Sequence, residues 1–300
     1  MENKWQKSGN KFYNGDTSDQ KDLLDSGIYS LERDPNTGVL YLEKLYEQFN
    51  FDYKMYGIQS KFIDRVVTTY NNTKGNLGIL LNGIKGTGKS VTAKVLSNKF
   101  DLPVVLINKN YPGIPDFINS IQQDIVVFID EFEKIFDEKD GSVLTVMDGT
   151  LDNGFRRTFL LTTNNLRVNE NLIQRPGRVR YLKTFYDLDR EIIEMIVDDC
   201  LKYPELREDT VGFISRLELI TVDIVKAVVA EVNIHRESPE EFKDVFNVKE
   251  RELKTNIYHI KEDGSETLMR RADGHIYDRV FNTSETSGPY TVERVHIEQI

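Results

Sequence analysis

The amino-acid sequence predicts an α/β fold in which helices cover a parallel β-sheet. Three observations support this prediction. A glycine-rich loop at residues 83–90 lies between an apolar run and a helical pattern. Short apolar runs and helical patterns then alternate as far as residue 162, and from residue 188 the pattern is helical. Strands that alternate with helices form parallel sheets, because each helix carries the chain back to begin the next strand in the same direction.

The central elements follow from the spacing of apolar residues. Apolar runs of about five residues indicate buried strands, and apolar residues three or four positions apart indicate helices. The predicted strands are residues 77–81, 104–107, 125–129 and 158–162. The predicted helices are residues 58–70, 91–100, 114–121 and 143–151, followed by a helical group at residues 189–200, 211–216 and 222–235.

Both ends of the chain depart from this alternation. The first ~20 residues are polar and predict a flexible arm. Two alternating runs then flank a turn sequence at residues 34–38 and predict a β-hairpin. Near the other end, Asp263-Gly264 predicts a second hairpin. The predicted strands of these regions are residues 28–33, 39–43, 256–260, 267–269, 277–281 and 290–297.

The composition argues against several classes of protein. The 300 residues allow one large or two modest domains, and the net charge of −10 argues against a broad nucleic-acid surface. No run approaches the ~18 apolar residues of a membrane span. The single Cys200 cannot form an internal disulfide. We therefore expect a cytoplasmic protein that has no membrane segment.

The glycine-rich loop has the spacing of a phosphate-binding loop, in which a glycine and four further residues precede Gly-Lys-Ser. Its glycines allow backbone N–H groups to turn toward phosphate oxygens, and the next helix N-terminus favours negative charge. Lys89 is expected to reach the β- and γ-phosphates of ATP, and the Ser90 hydroxyl to ligate Mg²⁺. The alternative is a glycine-rich turn without a ligand. The predicted nucleotide-binding residues of the loop are Gly83, Gly86, Thr87, Gly88, Lys89, Ser90 and Val91.

Two acids follow the apolar run at residues 125–129. Asp130 at the carboxyl end of this strand is expected to hold Mg²⁺, directly or through water. Glu131 is expected to act as the general base on the attacking water. Adjacent Asp and Glu favour ATP hydrolysis over a GTPase switch, and the alternative is two unrelated acids at a strand end.

With these residues the chain resembles the AAA+ ATPases, and specifically their classic AAA branch. The resemblance rests on four segments in order, residues 83–90, 128–131, 159–164 and 174–178. It implies that Asn164, at the end of a sensor strand, hydrogen-bonds the attacking water or the γ-phosphate. It also implies that Arg178 is an arginine finger that reaches the nucleotide of a neighbouring subunit.

Within this family, the Thr-Thr-Asn and Arg-Pro-Gly-Arg-Val segments are similar to those of the mitochondrial ATPases that translocate the Rieske protein. The membrane helix of that branch has no counterpart in this sequence. Tyr181 stands where many members have a second arginine, although Arg180 is adjacent. The last predicted lid helix opens without an arginine, so no second sensor arginine is assigned there.

The resemblance implies a P-loop NTPase sheet of five parallel strands, the AAA+ core, with a small helical lid and short β-rich elements at both ends. ATP would lie between sheet and lid, with adenine near the backbone of Gly57 and Ile58. Because Arg178 acts on a neighbouring subunit, the active form is expected to be a homo-oligomer, in particular a hexameric ring. The implied domains are an arm and hairpin at residues 1–52, the nucleotide-binding domain at 53–186, the lid at 187–248 and a β-rich element at 249–300.

The segment Tyr111-Pro112-Gly113 lies between a predicted strand and a predicted helix. In ring-shaped unfoldases of this family, the same connection carries an aromatic loop that faces the central pore. The resemblance thus implies that Tyr111 grips an extended polypeptide. The same residues also form a good turn, which is the structural alternative.

Two classes of function remain open at this point. The chain is either a motor that remodels, unfolds or threads proteins, or an ATPase that acts on a nucleic-acid machine, like a helicase loader or clamp loader. A third possibility is a nucleotide-gated scaffold with slow hydrolysis. Arg156-Arg157 is expected to contact a neighbouring subunit or to be solvated. The sequence does not identify the protein client.

Overall fold

The computed structural model describes residues 5–14, 20–21, 23–136, 147, 154–166, 178–251, 254–260, 266–273 and 295–299. The chain divides into two compact units. The first consists of Met1–Cys200 and Thr221–Lys226, and the second of Leu201–Ile220 and Ala227–Ile300. All residues predicted to bind or hydrolyse a nucleotide belong to the first unit.

Among the described residues, a ten-stranded sheet organises the first unit. Five of its strands lie side by side in the order β10-β6-β9-β8-β7, and all of these neighbours pair in parallel. This arrangement confirms the predicted α/β fold with a parallel sheet. The strands are β1 (Trp5–Ser8), β2 (Lys11–Asn14), β3 (Gln20–Lys21), β4 (Gly27–Arg33), β5 (Leu40–Tyr46), β6 (Leu77–Gly83), β7 (Pro103–Leu106), β8 (Ile125–Ile129), β9 (Arg157–Thr163) and β10 (Tyr181–Phe185).

Helices cover both faces of the parallel strands. Successive residues of β6 point to opposite faces: Ile79 and Leu81 belong to the same buried cluster as Leu96, whereas Leu80 belongs to the cluster of Ile118. Strands that are buried on both faces need apolar residues at every position, which is why continuous apolar runs revealed them. The helices of this unit are α1 (Ser60–Asn72), α2 (Lys89–Ser97), α3 (Ile114–Ser120), α4 (Phe132–Ile135) and α5 (Arg190–Cys200).

The N-terminal segment extends this sheet, so the prediction of a flexible arm is wrong for the described residues of β1 and β2. The strand β4 pairs in parallel with β7, and β5, β2, β1 and β3 continue the sheet in antiparallel pairs. Trp5 and Phe12 are buried and form edge-to-face contacts with Phe117 and Tyr29. The burial of these two aromatic rings outweighs the polar composition of the residues around them.

The second unit contains a helical group and a small sheet. Its elements include a 3₁₀ turn (Pro204–Leu206), α6 (Arg207–Ser215), most of α7 (Val222–His235) and α8 (Pro239–Phe242). Among the described residues, β11 (Lys254–Ile260) lies between β12 (Glu266–Asp273) and β13 (Val295–Gln299), and both pairs are antiparallel. The predicted second hairpin is therefore confirmed. The division into four domains stays a prediction.

Some predictions lie outside the described residues. These are the helix at residues 143–151 apart from the buried Met147, the segment at 174–177, and the strand at 277–281. The strand predicted at 290–297 is described only from residue 295 onward, where it forms part of β13.

Candidate active site

The loop between β6 and α2 has a backbone that favours glycine. Gly86 and Gly88 have φ values of +84° and +94°, which side chains with a Cβ rarely adopt. At Gly83 a Cβ would lie 2.0 Å from the carbonyl oxygen of Phe185 on the adjacent strand. A Cβ built on Gly88 would meet no atom within 4 Å, so the described structure leaves space on this side of the loop. The glycine spacing of the sequence thus matches the conformation of the loop.

Lys89 is buried inside this loop at the start of α2, with 5% of its surface exposed. Its Nζ donates hydrogen bonds to the carbonyl oxygens of Gly83 and Ile84 at 2.8 and 2.7 Å. Burial lowers the pKa of the Lys89 ammonium, and three nearby carboxylates, led by Glu131, oppose this shift. The loop therefore holds a cation close to the acids of the site.

Ser90 and Asp130 come together as the sequence predicts. The Ser90 hydroxyl donates to Oδ1 of Asp130 at 2.7 Å. A hydroxyl and a carboxylate are the oxygen ligands that Mg²⁺ uses beside nucleotide phosphates. The donor set and the space beside Gly88 thus fit a magnesium–nucleotide complex.

Glu131 follows β8 in a left-handed backbone conformation, with φ of 50° and ψ of 56°. Oε1 accepts a hydrogen bond from the side-chain amide of Asn164, and Oε2 forms an ion pair with Lys134. The Lys134 contact, followed by that of Asn164, lowers the pKa of the Glu131 carboxyl below its usual range. The predicted base and the predicted sensor are therefore in direct contact, and the base is ionised.

Two further residues of this network were not singled out by sequence reasoning. The buried Thr162 hydroxyl donates to Oδ1 of Asp130 at 2.6 Å and accepts the backbone N–H of Glu131 at 2.8 Å. Oε1 of Glu133 accepts the backbone N–H of Asn164 at 2.9 Å. A threonine in a strand and an acid in a helix are common, so their contacts could be found only from the fold.

A cleft of about 670 Å³ lies beside the loop within the first unit. Its lining includes Lys89 and Glu131, the predicted adenine contacts Gly57 and Ile58, and Tyr56. The volume lies within the range of small-molecule sites. The ammonium groups of Lys54 and Lys226 lie 5.5 and 5.4 Å from the centroid of the Tyr56 ring. The cleft thus joins the phosphate loop to the segment expected to bind adenine, and Val91 of α2 also lines it. Thr87 is buried within the loop, where its hydroxyl donates to the Ile84 carbonyl at 2.7 Å.

Arg178 lies at the other end of β6. A Cβ on Gly78 would lie 1.7 Å from the carbonyl oxygen of Arg178, and the backbone N–H of Arg180 donates to the Gly78 carbonyl at 2.9 Å. Gly78 and Gly83 are five residues apart, which is roughly 17 Å along a strand. This is longer than an arginine side chain, so one chain does not bring Arg178 to its own phosphate loop.

Tyr111 is half-buried beside the N-terminal hairpin. Its hydroxyl donates to Oε2 of Glu32 at 3.2 Å, and its ring packs against the buried cluster under α3. Pro112 and Gly113 are exposed, and Gly113 precedes α3 with φ of +88°. The turn is therefore formed, while the ring of Tyr111 is partly occupied by contacts within its own chain.

The expectation that Arg156-Arg157 is solvated is wrong, because both guanidinium groups are bonded within their own unit, whereas contact with a neighbouring subunit stays a prediction. Arg157 is 2% exposed, and its guanidinium donates to the carbonyl oxygens of Gln123 and Ile121. The Arg156 guanidinium donates to the carbonyls of Gly75 and Tyr70 at 2.6 Å, and lies 3.8 Å from the centroid of the Tyr70 ring. Both arginines therefore tie loops of their own unit together.

Residues 79–185 match the model of the ATPase family associated with various cellular activities (AAA). The match covers about a third of the chain, from β6 to β10, and includes the phosphate loop, Asp130, Glu131 and Asn164. It supports an AAA+ ATPase in general, with ATP binding by a P-loop. No curated protein matches the sequence, so the narrower similarity to Rieske-protein translocases has no support. Among the described residues, no helix is both long and apolar enough to cross a membrane.

Proposed function

We propose that the chain is the subunit of a ring-shaped motor that hydrolyses ATP to ADP and phosphate and uses this energy to remodel, unfold or thread proteins. The observation that carries the ATPase part is the convergence of Lys89, Asp130, Glu131 and Asn164 beside one cleft. A turn without a ligand would not require a buried lysine and three polar side chains from two other segments at the same place.

The proposed reaction follows from the contacts of these side chains. Lys89 and the backbone N–H groups of the loop bind the phosphates, and Ser90 and Asp130 hold Mg²⁺. Bound Mg²⁺ neutralises charge on the phosphate oxygens. Glu131 accepts a proton from water as the water oxygen bonds to the γ-phosphorus, and the bond to the β-phosphate oxygen breaks. Asn164 orients the attacking water beside Glu131.

A ring follows from the position of Arg178 in this proposal. The finger of one chain is about 17 Å of strand away from its own phosphate loop, so a role for Arg178 in hydrolysis requires the nucleotide of a neighbouring subunit. Repeating the same contact from subunit to subunit gives a ring where the rotation between subunits closes, and a closed ring of six subunits is our proposal. An arginine suits this role because its fixed planar charge stabilises the phosphates in the transition state.

The proposal of a protein substrate rests on the charge of −10, which disfavours a nucleic-acid surface. Tyr111 remains the proposed contact to substrate, which requires that its hydroxyl leave Glu32 and its ring leave the buried cluster. A cytoplasmic location is part of the same proposal. An ATPase that serves a nucleic-acid machine is the competing function.

Replacement of Glu131 tests the ATPase assignment. Glu131→Gln keeps the size of the side chain and removes the base, so ATP binding should persist while turnover falls by about 100-fold or more. Lys89→Ala should instead lose nucleotide affinity. Normal turnover by Glu131→Gln would refute the role of this residue as base.

Mixed subunits test the shared site. Arg178→Ala alone should bind ATP and lose on the order of 10³-fold in turnover. When Arg178→Ala and Glu131→Gln subunits are mixed, some sites receive an intact base and an intact finger, so part of the activity should return. Failure of the mixture to regain activity, although the subunits associate, would contradict action across the interface.

Substrate class is tested by the response of the wild-type ATPase rate. An unfolded protein such as reduced, carboxymethylated lactalbumin should raise the rate. Single-stranded DNA of matched concentration serves as the comparison. Stimulation by DNA alone would replace the protein-remodelling proposal with the nucleic-acid one.

A further inference from the structure

The two catalytic segments of the proposed ATPase are tied to each other by an exchange of hydrogen bonds. One segment follows β8 and carries Glu131, and the other ends β9 and carries Asn164. The backbone N–H of Glu131 donates to the Thr162 side chain, and the backbone N–H of Asn164 donates to the Glu133 side chain. Each segment therefore uses a side chain of the other to fix its own backbone. We name Thr162 and Glu133 the reciprocal clamp.

Thr162 is placed for this contact by the pairing of β8 with β9. Ile129 pairs with Leu161 in the parallel ladder, so the next residues, Asp130 and Thr162, continue side by side. Thr162 is fully buried, and its single hydroxyl donates to Asp130 while it accepts from Glu131. One oxygen atom thus sets the proposed metal ligand and the proposed base at the same time.

The conformation of Glu131 makes this contact important. A residue with a Cβ rarely adopts positive φ, and such a backbone persists only where the surrounding contacts hold it. Glu131 has φ of 50°, and its N–H is bonded to Thr162. Without this acceptor the peptide could return to an ordinary conformation, and the carboxylate would point elsewhere.

Glu133 holds the other segment in a similar way. Its Oε1 accepts the N–H of Asn164, whose side-chain amide in turn donates to Glu131. Its Oε2 is buried and has no hydrogen-bond partner among the described residues. A carboxylate with a buried, unpaired oxygen is unfavourable for folding, so its position is better explained by the contact it makes to Asn164 than by stability.

We propose that Thr162 and Glu133 are positioning residues that set Glu131 and Asn164 at the distance and angle required to activate water. This inference rests on the proposed ATP hydrolysis. Neither side chain is assigned contact with the nucleotide, and Asp130 keeps its hydrogen bond from Ser90 when Thr162 is changed, so their loss should lower kcat and change KM little. Misplacement of a catalytic group by about 1 Å can cost on the order of 100-fold in rate.

Three threonine variants test the first half of the clamp. Thr162→Val has nearly the same shape and lacks the hydroxyl, so kcat should fall by about 10–100-fold while KM stays within about threefold. Thr162→Ser restores a hydroxyl and should recover most of the rate. Thr158→Val is the matched control, because Thr158 is buried in the same strand and its hydroxyl has no partner among the described residues. A Thr162→Val rate equal to that of Thr158→Val would overturn the proposal.

Two glutamate variants test the second half. Glu133→Gln keeps an oxygen that can accept the Asn164 N–H, whereas Glu133→Ala removes it. We expect Glu133→Gln to retain a rate several-fold above that of Glu133→Ala, with similar KM for both. Equal loss in the two variants would show that the charge of Glu133 matters rather than its hydrogen bond, and would overturn its positioning role.

Amide hydrogen exchange, followed by NMR, provides a readout that does not need activity. In Thr162→Val the amide of Glu131 should exchange at least about tenfold faster than in the wild type. The Thr92 amide, which donates to the Gly88 carbonyl at 2.9 Å, serves as the reference. If the wild type fails to hydrolyse ATP, the proposed function is wrong, and the exchange result still decides whether the clamp exists. If Glu131→Gln abolishes turnover while both clamp tests show no change, the inference alone is wrong.

Discussion

Replacement of Gly78 by alanine tests how tightly the chain holds the proposed arginine finger. Gly78 lies in β6, and a Cβ at this position would lie 1.7 Å from the Arg178 carbonyl oxygen and 3.1 Å from the Cα of Val179. Alanine is otherwise acceptable in a strand, and the strained φ values of the phosphate loop do not occur here. The change therefore adds one methyl group at one backbone contact.

The cost of this methyl group follows from the distance. Real Cβ atoms essentially never approach another atom within 3.0 Å, so the carbonyl must retreat by at least about 1.3 Å. Overpacking of this kind costs about 1–3 kcal/mol. The hydrogen bond from the Arg180 N–H to the Gly78 carbonyl would be weakened as well, which adds about 0.5–1.5 kcal/mol. We expect the free energy of unfolding to fall by roughly 2–4 kcal/mol.

Urea denaturation and steady-state kinetics measure the two consequences. The midpoint of unfolding should fall, and kcat should fall more than nucleotide affinity, because the displaced residue is Arg178 and the phosphate loop keeps its contacts. Gly212→Ala is the matched control. It lies inside α6, where a Cβ would meet only the Arg216 side chain at 3.9 Å, and removal of a helical glycine should stabilise by about 0.5–1 kcal/mol. If Gly78→Ala were as stable and active as the wild type, the close approach of the finger segment would be refuted.

Three further predictions concern single side chains of the first unit. Lys134→Met removes the main cause of the lowered Glu131 pKa, so this pKa should rise and the acid limb of the pH–rate profile should move to higher pH. If the acid limb stayed at the same pH, Glu131 would not be the group whose titration limits the rate. Arg156→Lys loses the planar donor set that bonds two backbone carbonyls, so the free energy of unfolding measured in urea should fall by about 1–3 kcal/mol. A fall below about 0.5 kcal/mol would show that these contacts contribute little to stability. Tyr111→Phe removes only the hydroxyl that donates to Glu32, so the free energy of unfolding should fall by about 0.5–1.5 kcal/mol and the basal ATPase rate should stay within about twofold of the wild type. A larger loss of rate would show that the Tyr111 hydroxyl contributes to ATP hydrolysis.

The phosphate loop and the parallel sheet could be predicted because local rules determine them. Gly86 and Gly88 are needed for positive φ values, and buried parallel strands require apolar residues on both faces. Asp130 and Glu131 could be placed for a related reason, since residues just after a parallel strand lie at the same edge of the sheet as the phosphate loop. In each case the sequence near the residue was sufficient.

The predictions of a flexible arm at β1 and β2 and of a solvated Arg156-Arg157 pair were wrong because the partners of these residues are distant in sequence. Trp5 lies in a polar segment, and its burial depends on Phe117, more than a hundred residues later. Arg157 carries a charge that ordinarily indicates the surface, yet carbonyl oxygens of Gln123 and Ile121 surround its guanidinium. Composition describes the average environment of a residue type, and these residues have exceptional environments that depend on tertiary contacts.

Thr162 and Glu133 show a different limit of sequence reasoning. Their residue types suit many positions in a strand or helix, and no spacing rule connects them to Asn164 or Glu131. What matters is that β8 and β9 are adjacent and in register, which aligns Thr162 with Asp130. Prediction of such residues requires the order of strands in the sheet as well as their number.

The strand β6 joins the two roles that the proposed motor requires of each subunit. At one end Gly83 accepts the close approach of Phe185 and leads into the phosphate loop, and at the other end Gly78 accepts the close approach of Arg178. Because a strand is stiff along its length, the distance between the nucleotide that a subunit binds and the arginine it offers is nearly fixed. In the proposed ring, a change at the nucleotide would therefore alter the contact to the next subunit by moving the whole sheet. For this reason Gly78, which belongs to no recognised motif, should matter to hydrolysis in the neighbouring subunit as much as the glycines of the loop matter in its own.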